Sequence, residues 1–514
     1  MKEFVEKHDS IIHRLLEIVP GFLTWSVLLS PLWLGILFPQ LIVYILIALT
    51  VYWAFMATKH SYGMLKGYRI YEKEMGMDWM AQCRELDFET LPEPETRPDT
   101  LEKVKHFVLI PAVNEPYEVL KPAFDSFYNQ TFSRDQIVLV YTLEGRNDYD
   151  KQVRATLEEV FEGRDKEFAD VLIYTHPAGI PGEAIGAGAA NRTWGAKKAV
   201  AELKAKGEDL RNYIFSTFDA DHVLDKQFLA RLTHLYLNED KRDYKFYQSA
   251  VALFDNNYWK VPVFMRIEAT SVALGGLAEW TVKGKLKDTF AAYSASLQTL
   301  LDADYWDVGL GVDDQIFYWR AFFQRDGDFT GVPHYIPYSA DAVMGSDFRD
   351  SCKSLYKQLV RWGWGVIDFP LSLKEFMKNY KVPLRLKIAW FFRHLEKRVL
   401  LIDSVFLITF GFGLLTFANP DVKQATFAYS LPDIMSVILT ITLVFFLPIS
   451  IIRFKLVKPM PKDWPLWKKL LAVLEAPLVT INMLSFSFLP HIEAQTRMLL
   501  GKKMKDLYHT PKVR

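Results

Sequence analysis

Ile214-Phe215-Ser216-Thr217-Phe218-Asp219-Ala220-Asp221 is an apolar run that stops on two acids. A short apolar run with such an end predicts a buried β-strand. In extended chain, residues two apart point the same way, so Asp219 and Asp221 leave the strand end on one side. Hard carboxylate oxygens so placed suit Mg²⁺ or Mn²⁺, cations that also bind phosphate oxygens. His222 is a further ligand candidate or a polar neighbour. The competing reading is that the acid pair caps a helix starting near Lys226.

The pattern around this stretch is regular. Residues 106–112, 136–142, 171–175, 213–217 and 245–249 all read as strands. Helical patterns over 117–128, 153–161 and 191–203 lie between the first four. Strands alternating with helices predict an α/β fold with a mostly parallel sheet. In such sheets ligands bind beyond the carboxyl ends of the strands. Asn114-Glu115, Glu144 and Asp219/Asp221 each follow a strand, so one crevice can gather them.

The 514 residues are half apolar and 15% aromatic, and the formal charge is zero. No global basic field points to nucleic acid. Cys83 and Cys352 make neither a disulfide framework nor a zinc site. Residues 22–38 and 41–55 are almost free of charge, with Pro39-Gln40 between them, and predict a transmembrane hairpin. Glu3, Glu6, Asp9 and Glu17 in the lead-in argue against a signal peptide. Lys2, Lys7 and Arg14 precede the hairpin; Lys59, Lys66 and Arg69 follow it. Both ends therefore read as cytoplasmic, with the hydrophilic region 58–398 inside. Residues 399–417 and 434–452 are further spans. The stretch 470–489 is broken by Glu475 and Pro477 and has lysines or arginines on both sides. Either it is re-entrant or interfacial, or the positive-inside rule fails there. The total is four or five spans.

Two more motifs follow the acid pair in order. Val312-Asp313-Asp314 precedes a helical pattern over 315–323 and reads as either a base or a helix cap. Gln358-Leu359-Val360-Arg361-Trp362 puts Gln358, Arg361 and Trp362 on one helical face. Arg361 can fork onto phosphate oxygens, and Trp362 can offer its plane to a sugar. The alternative is an aromatic belt helix at a membrane surface.

The ordered triple resembles membrane-embedded family-two glycosyltransferases, the group that contains cellulose, chitin and hyaluronan synthases. The likeness covers roughly residues 105–370 and the placement of the apolar helices. It implies a GT-A-type, Rossmann-like cytoplasmic domain between N- and C-terminal transmembrane helices. On that plan 1–60 is an amphipathic lead-in and hairpin, 61–104 a linker and 105–350 the glycosyltransferase domain. Residues 351–398 are then interfacial helices, and 399–514 are transmembrane or interfacial helices with a tail. The implied activity is inverting transfer from a nucleotide sugar, UDP-linked in the first instance, to a growing polysaccharide at the plasma membrane. Single addition to a lipid acceptor is the alternative, and a non-catalytic transporter or receptor a more distant one. So few spans leave little wall for a channel, which makes a homo-oligomer a further expectation.

The resemblance also assigns residues. Asp219 and Asp221 would hold the metal and the donor diphosphate. Asp314 would be the general base, with Asp313 where the family has Glu and Val312 where it has Thr. Gln358 and Arg361 would serve the diphosphate and Trp362 the acceptor sugar. Glu115 would approach the uridine and Glu144 the base. Gly186-Ala187-Gly188-Ala189-Ala190-Asn191 is similar to a Gly-Lys-x-x-x-Asn segment but lacks the Lys. Thr510-Pro511-Lys512 resembles the Thr-x-Lys of a gating loop, with Leu507 where an aromatic is expected.

Overall fold

The computed structural model describes residues 2–184, 188–284 and 286–504. By its internal contacts the chain divides into two units. Among the described residues, one comprises those of 2–66, 262–271 and 352–503; the other comprises those of 67–261 and 272–351, with 504.

The second unit holds ten strands among its described residues. They are β1 (Lys105–Ala112), β2 (Ile137–Glu144), β3 (Asp170–His176), β4 (Tyr213–Thr217), β5 (Val223–Leu224), β6 (Lys245–Ser249), β7 (Ala252–Leu253), β8 (Tyr293–Ser296), β9 (Thr330–His334) and β10 (Tyr338–Ser339). Seven form a mixed sheet in the order β3-β2-β1-β4-β8-β6-β9. β1 pairs in parallel with β2 on one side and β4 on the other. The chain winds outward from β1 to β3, then returns through the helix Gly188–Ala205 to start again at β4. That reversal opens a crevice beyond the carboxyl ends of β1 and β4. All eight residues of β2 are buried, the pattern of a strand covered on both faces.

β8 runs antiparallel to both β4 and β6. β9 is one of the two edge strands and carries Pro333, whose missing N–H is tolerated there. A Cβ on Gly331 of β9 would meet the Phe246 and Trp280 rings, so only glycine fits. A smaller sheet, β5-β10-β7, includes the strand just after the acid pair, β5, which runs antiparallel to β10.

Residues 84–97, acidic and proline-punctuated, are pinned to this unit. Fully buried Arg242 donates to the carbonyls of Pro92 at 2.7 Å and Glu93 at 3.1 Å and to Thr96 Oγ1 at 3.0 Å. Upstream, Glu74 pairs with Arg231 at 2.8 Å and accepts the Tyr335 N–H at 2.8 Å. Replacing Arg242 with Met strands several carbonyls in a dry interior. It is expected to cost about 3 kcal/mol, read as a lowered denaturation midpoint with the slope unchanged.

The first unit is helical. Four stretches are long and apolar enough to cross a membrane: Asp9–Leu28, Pro39–Met75, Leu384–Ala418 and Thr426–Phe445. The apolar run 22–38 is divided between the helices Asp9–Leu28 and Ser30–Leu37, with Pro31 in the first turn of the second. Glycines let helices approach: Gly411 lies against Leu46 and Gly35 against Leu415. The stretch 470–489 is not one helix. Its first helix, Leu466–Val473, stops before Glu475, whose buried carboxylate pairs with Arg266 and Arg453. A charge placed there needs partners, and Pro477 removes a donor, so the helix breaks.

Candidate active site

The helix after the acid pair starts at Phe228, and neither Asp219 nor Asp221 caps it. The pair is held by other means. Asp221 is 3% exposed. Its Oδ2 accepts the Asp341 N–H at 2.9 Å, and its carbonyl accepts from Asn256 Nδ2 at 3.0 Å. Both partners come with the small sheet, since β10 brings Asp341 beside the chain of β5. Asp219 is partly open to solvent and accepts from Arg192 Nη2 at 2.7 Å.

Ligand atoms of Asp219, Asp221 and His222 all lie within 4.8 Å of one another. Two carboxylates converging at that range fit a hard divalent cation. His222 fits less well in this orientation. Its Nδ1 accepts the Asp219 backbone N–H at 3.1 Å, so the neutral ring carries its proton on Nε2. That Nε2 lies 3.9 Å from Asp219 Oδ2 and offers a donor rather than a lone pair. The ring packs on Tyr338 with centroids 4.7 Å apart.

The second acid motif starts the helix Asp314–Gln324. Asp313 is its N-cap, accepting the Asp314 N–H at 3.2 Å. The capping reading therefore holds for Asp313, but that residue also pairs with Arg192 Nη1. Asp314 is half-buried, and its carbonyl accepts from the Thr289 hydroxyl.

Arg192 ties the two motifs together and was not among the residues that the sequence marks. It stands in the first turns of the helix Gly188–Ala205, with its side chain 6% exposed. Nε donates to Thr217 Oγ1 at 3.0 Å, Nη2 to Asp219 and Nη1 to Asp313. Burial works against its charge, but the carboxylates of Asp313, Asp219 and Asp314 outweigh this and raise its pKa. The Tyr338 phenol reports the same convergence. Burial first, then the charges of Asp219, Asp314 and Asp221, push it well above its ordinary value. A charged residue flanked by Ala189-Ala190-Asn191 and Thr193, with no charged neighbour before Lys197, was the available signal.

Nearby acids line the same strand ends. Glu115, after β1, is buried and accepts the Val113 N–H at 2.7 Å. Glu144 closes β2 and pairs with Arg146 at 3.1 Å. Asn191 donates to the Thr142 carbonyl at 2.9 Å, fixing the helix to β2. Gly186 and Ala187 lie outside the described residues, as do Thr510 and Lys512.

Gln358, Arg361 and Trp362 lie on the helix Phe348–Gly363 and are half-buried; from Cys352 on, this helix belongs to the helical unit. The buried Nε of Arg361 has no acceptor among the described residues. Gly363 packs against His491 and Ala494, where a Cβ would not fit.

No family model and no curated protein sequence matches the chain. Solved structures align with it at low identity. The mannosyltransferase PcManGT from Pyrobaculum calidifontis, in complex with GDP-Man and Mn²⁺, is 14% identical, with 85% of this chain and 99% of that chain covered and a TM-score of 0.37. S. aureus TarS 1-349 in complex with UDP-GlcNAc is 12% identical, with 78% of this chain and 93% of that chain covered and a TM-score of 0.33. Values this low leave the chemistry to the residues themselves.

Proposed function

We propose that this chain is a membrane-embedded, metal-dependent glycosyltransferase that moves a sugar from a nucleotide sugar to a polysaccharide acceptor. The observation that carries the proposal is the convergence of Asp219 and Asp313 on one buried guanidinium, with Asp221 beside Asp219 and Asp314 next to Asp313, at the reversal of a doubly wound sheet. Asp219 and Asp221 are the residues that would hold Mg²⁺ or Mn²⁺, which when bound neutralises a diphosphate leaving group. Asp314 takes the proton from an acceptor hydroxyl as that oxygen attacks the anomeric carbon. The carbon–oxygen bond to the diphosphate breaks, and its electron pair leaves with the nucleotide. One base and one displacement invert the anomeric centre. Glu115 and Glu144 serve the nucleoside. Gln358 and Arg361 serve the diphosphate, and Trp362 holds the acceptor sugar. The α/β unit is a GT-A-type domain facing the cytoplasm from the plasma membrane.

A donor screen with purified protein in lipid nanodiscs tests the class. Release of a nucleoside diphosphate from one UDP- or GDP-sugar, dependent on added Mn²⁺ or Mg²⁺, is the expected result. No release from any donor would overturn the reading.

Two further outcomes follow. A surface cysteine engineered between residues 58 and 398 should react with an impermeant reagent only after the cells are opened; labelling of intact cells would reverse the orientation. Trp362→Ala should shorten the products before it changes donor affinity, because a sugar-stacking plane contributes about 1 kcal/mol to acceptor retention. Product length on a gel checks this. A lipid carrying one sugar as the sole wild-type product would replace the polymer reading with a glycolipid one.

A further inference from the structure

We propose that Arg192 is the positioning residue that sets the distance between the cation-binding acids and the base, and that Asp313 serves Arg192 instead of the proton transfer. The inference rests on the glycosyltransferase reading above.

The guanidinium is used in three directions at once. Nε is committed to Thr217 at the end of β4, Nη2 to Asp219 and Nη1 to Asp313. One planar group thus fixes the strand end, the first acid of the cation pair and the N-cap of the helix that carries Asp314. Asp313 and Asp314 are adjacent, so fixing one carboxylate fixes where the next residue starts. Both Asp313 oxygens are engaged: Oδ2 by Arg192 and Oδ1 by the Asp314 N–H. A carboxylate so engaged is held in place as the partner of Arg192. Asp314 is left as the base of the pair.

The neighbouring backbone is shaped for this contact. Gly188 opens the helix that carries Arg192, and a Cβ there would lie 2.6 Å from Asp313 Oδ2 and 2.8 Å from Arg192 Nη1. A methyl group at 188 must therefore displace the ion pair. Arg192 also meets a charge requirement. Four carboxylates at one site repel one another, and a single buried cation screens them before any metal or diphosphate arrives. A lysine keeps the charge but lacks the planar fork, so it cannot hold Thr217, Asp219 and Asp313 together.

The test compares wild type, Arg192→Lys, Arg192→Met, Asp313→Asn, Gly188→Ala and the Arg192→Lys/Asp313→Asn pair in nanodiscs. Mn²⁺ affinity is read by electron paramagnetic resonance, and kcat and donor KM are read with the donor found in the screen. For Arg192→Lys and Gly188→Ala, kcat is expected to fall at least about 10-fold with donor KM within about threefold. Arg192→Met, which removes a cation beside Asp219, should bind Mn²⁺ as tightly as wild type or more tightly. Asp313→Asn should cost less than twofold further in the Arg192→Lys background, because the two residues act as one unit. Three outcomes overturn the proposal. A donor KM raised 10-fold in Arg192→Lys would make Arg192 a phosphate ligand. Independent, multiplying losses from Arg192→Lys and Asp313→Asn would give Asp313 a role of its own. Mn²⁺ binding weakened along with thermal stability in every variant would make the cluster structural only. If the wild-type chain releases no nucleoside diphosphate, the glycosyltransferase reading fails by itself; Mn²⁺ bound more weakly by Arg192→Met than by wild type at unchanged thermal stability would then overturn the separate claim that Arg192 stands beside the cation acids as a competing charge.

Discussion

Asp314→Asn is expected to leave donor binding intact and to lower sugar transfer by at least ~10²-fold, the usual contribution of a positioned base. The change is nearly isosteric and removes only basicity. The Asp314 backbone groups that build the site are untouched: the N–H still reaches Asp313, and the carbonyl still accepts from Thr289. The deficit should therefore appear in kcat, with donor affinity by equilibrium binding unchanged. Equal loss of donor affinity would make Asp314 a binding group and leave the acceptor proton without a recipient.

Asp221→Ala should be more damaging still. The carboxylate is buried, and Asp341 N–H points at it. Its removal leaves Asp219 as the one acid of the pair and strands a donor in the interior. Turnover should fall at least ~10²-fold, with Mn²⁺ affinity weakened by a similar factor. Chelation of wild-type protein should give the same loss, and added Mn²⁺ or Mg²⁺ should restore wild type but not the variant. Full activity of Asp221→Ala in the presence of chelator would sink the metal-dependent mechanism.

The central parallel strands β1, β2 and β4 could be read from the chain because they are buried almost throughout and so appear as apolar runs. Tyr213–Thr217 falls where such a run predicts, Lys245–Ser249 also lies where a strand is expected, and the helix Tyr117–Tyr128 follows its apolar spacing from end to end. β8 escaped because Tyr293-Ser294-Ala295-Ser296 is short and half hydroxyl; its serines are buried by pairing, with Ser294 bonded to Ser216 at 2.7 Å. β9 escaped because Gly331 and Pro333 look like turn residues, and only the packed rings and the sheet edge explain them. The acids of the site could be named in advance because each follows a strand or opens a helix. Arg192 carries a weaker signal, since an arginine in a helix usually means a solvated face. What turns it inward is a set of carboxylates brought together from distant parts of the chain.

Glu74, Arg231 and Arg242 bear on how this chain can be divided. A fragment starting at Lys105 would retain every strand and every acid of the candidate site. It would also lack the carboxylate that answers half-buried Arg231 and the carbonyls of Pro92 and Glu93 that answer fully buried Arg242. The shortest self-sufficient piece of the α/β unit thus begins before Glu74, inside the helix that opens at Pro39 as an apolar span. A graft of the α/β unit that keeps these contacts cannot be cut in the loop after that helix. It must carry the last turns of the helix with it, because Glu74 lies within them.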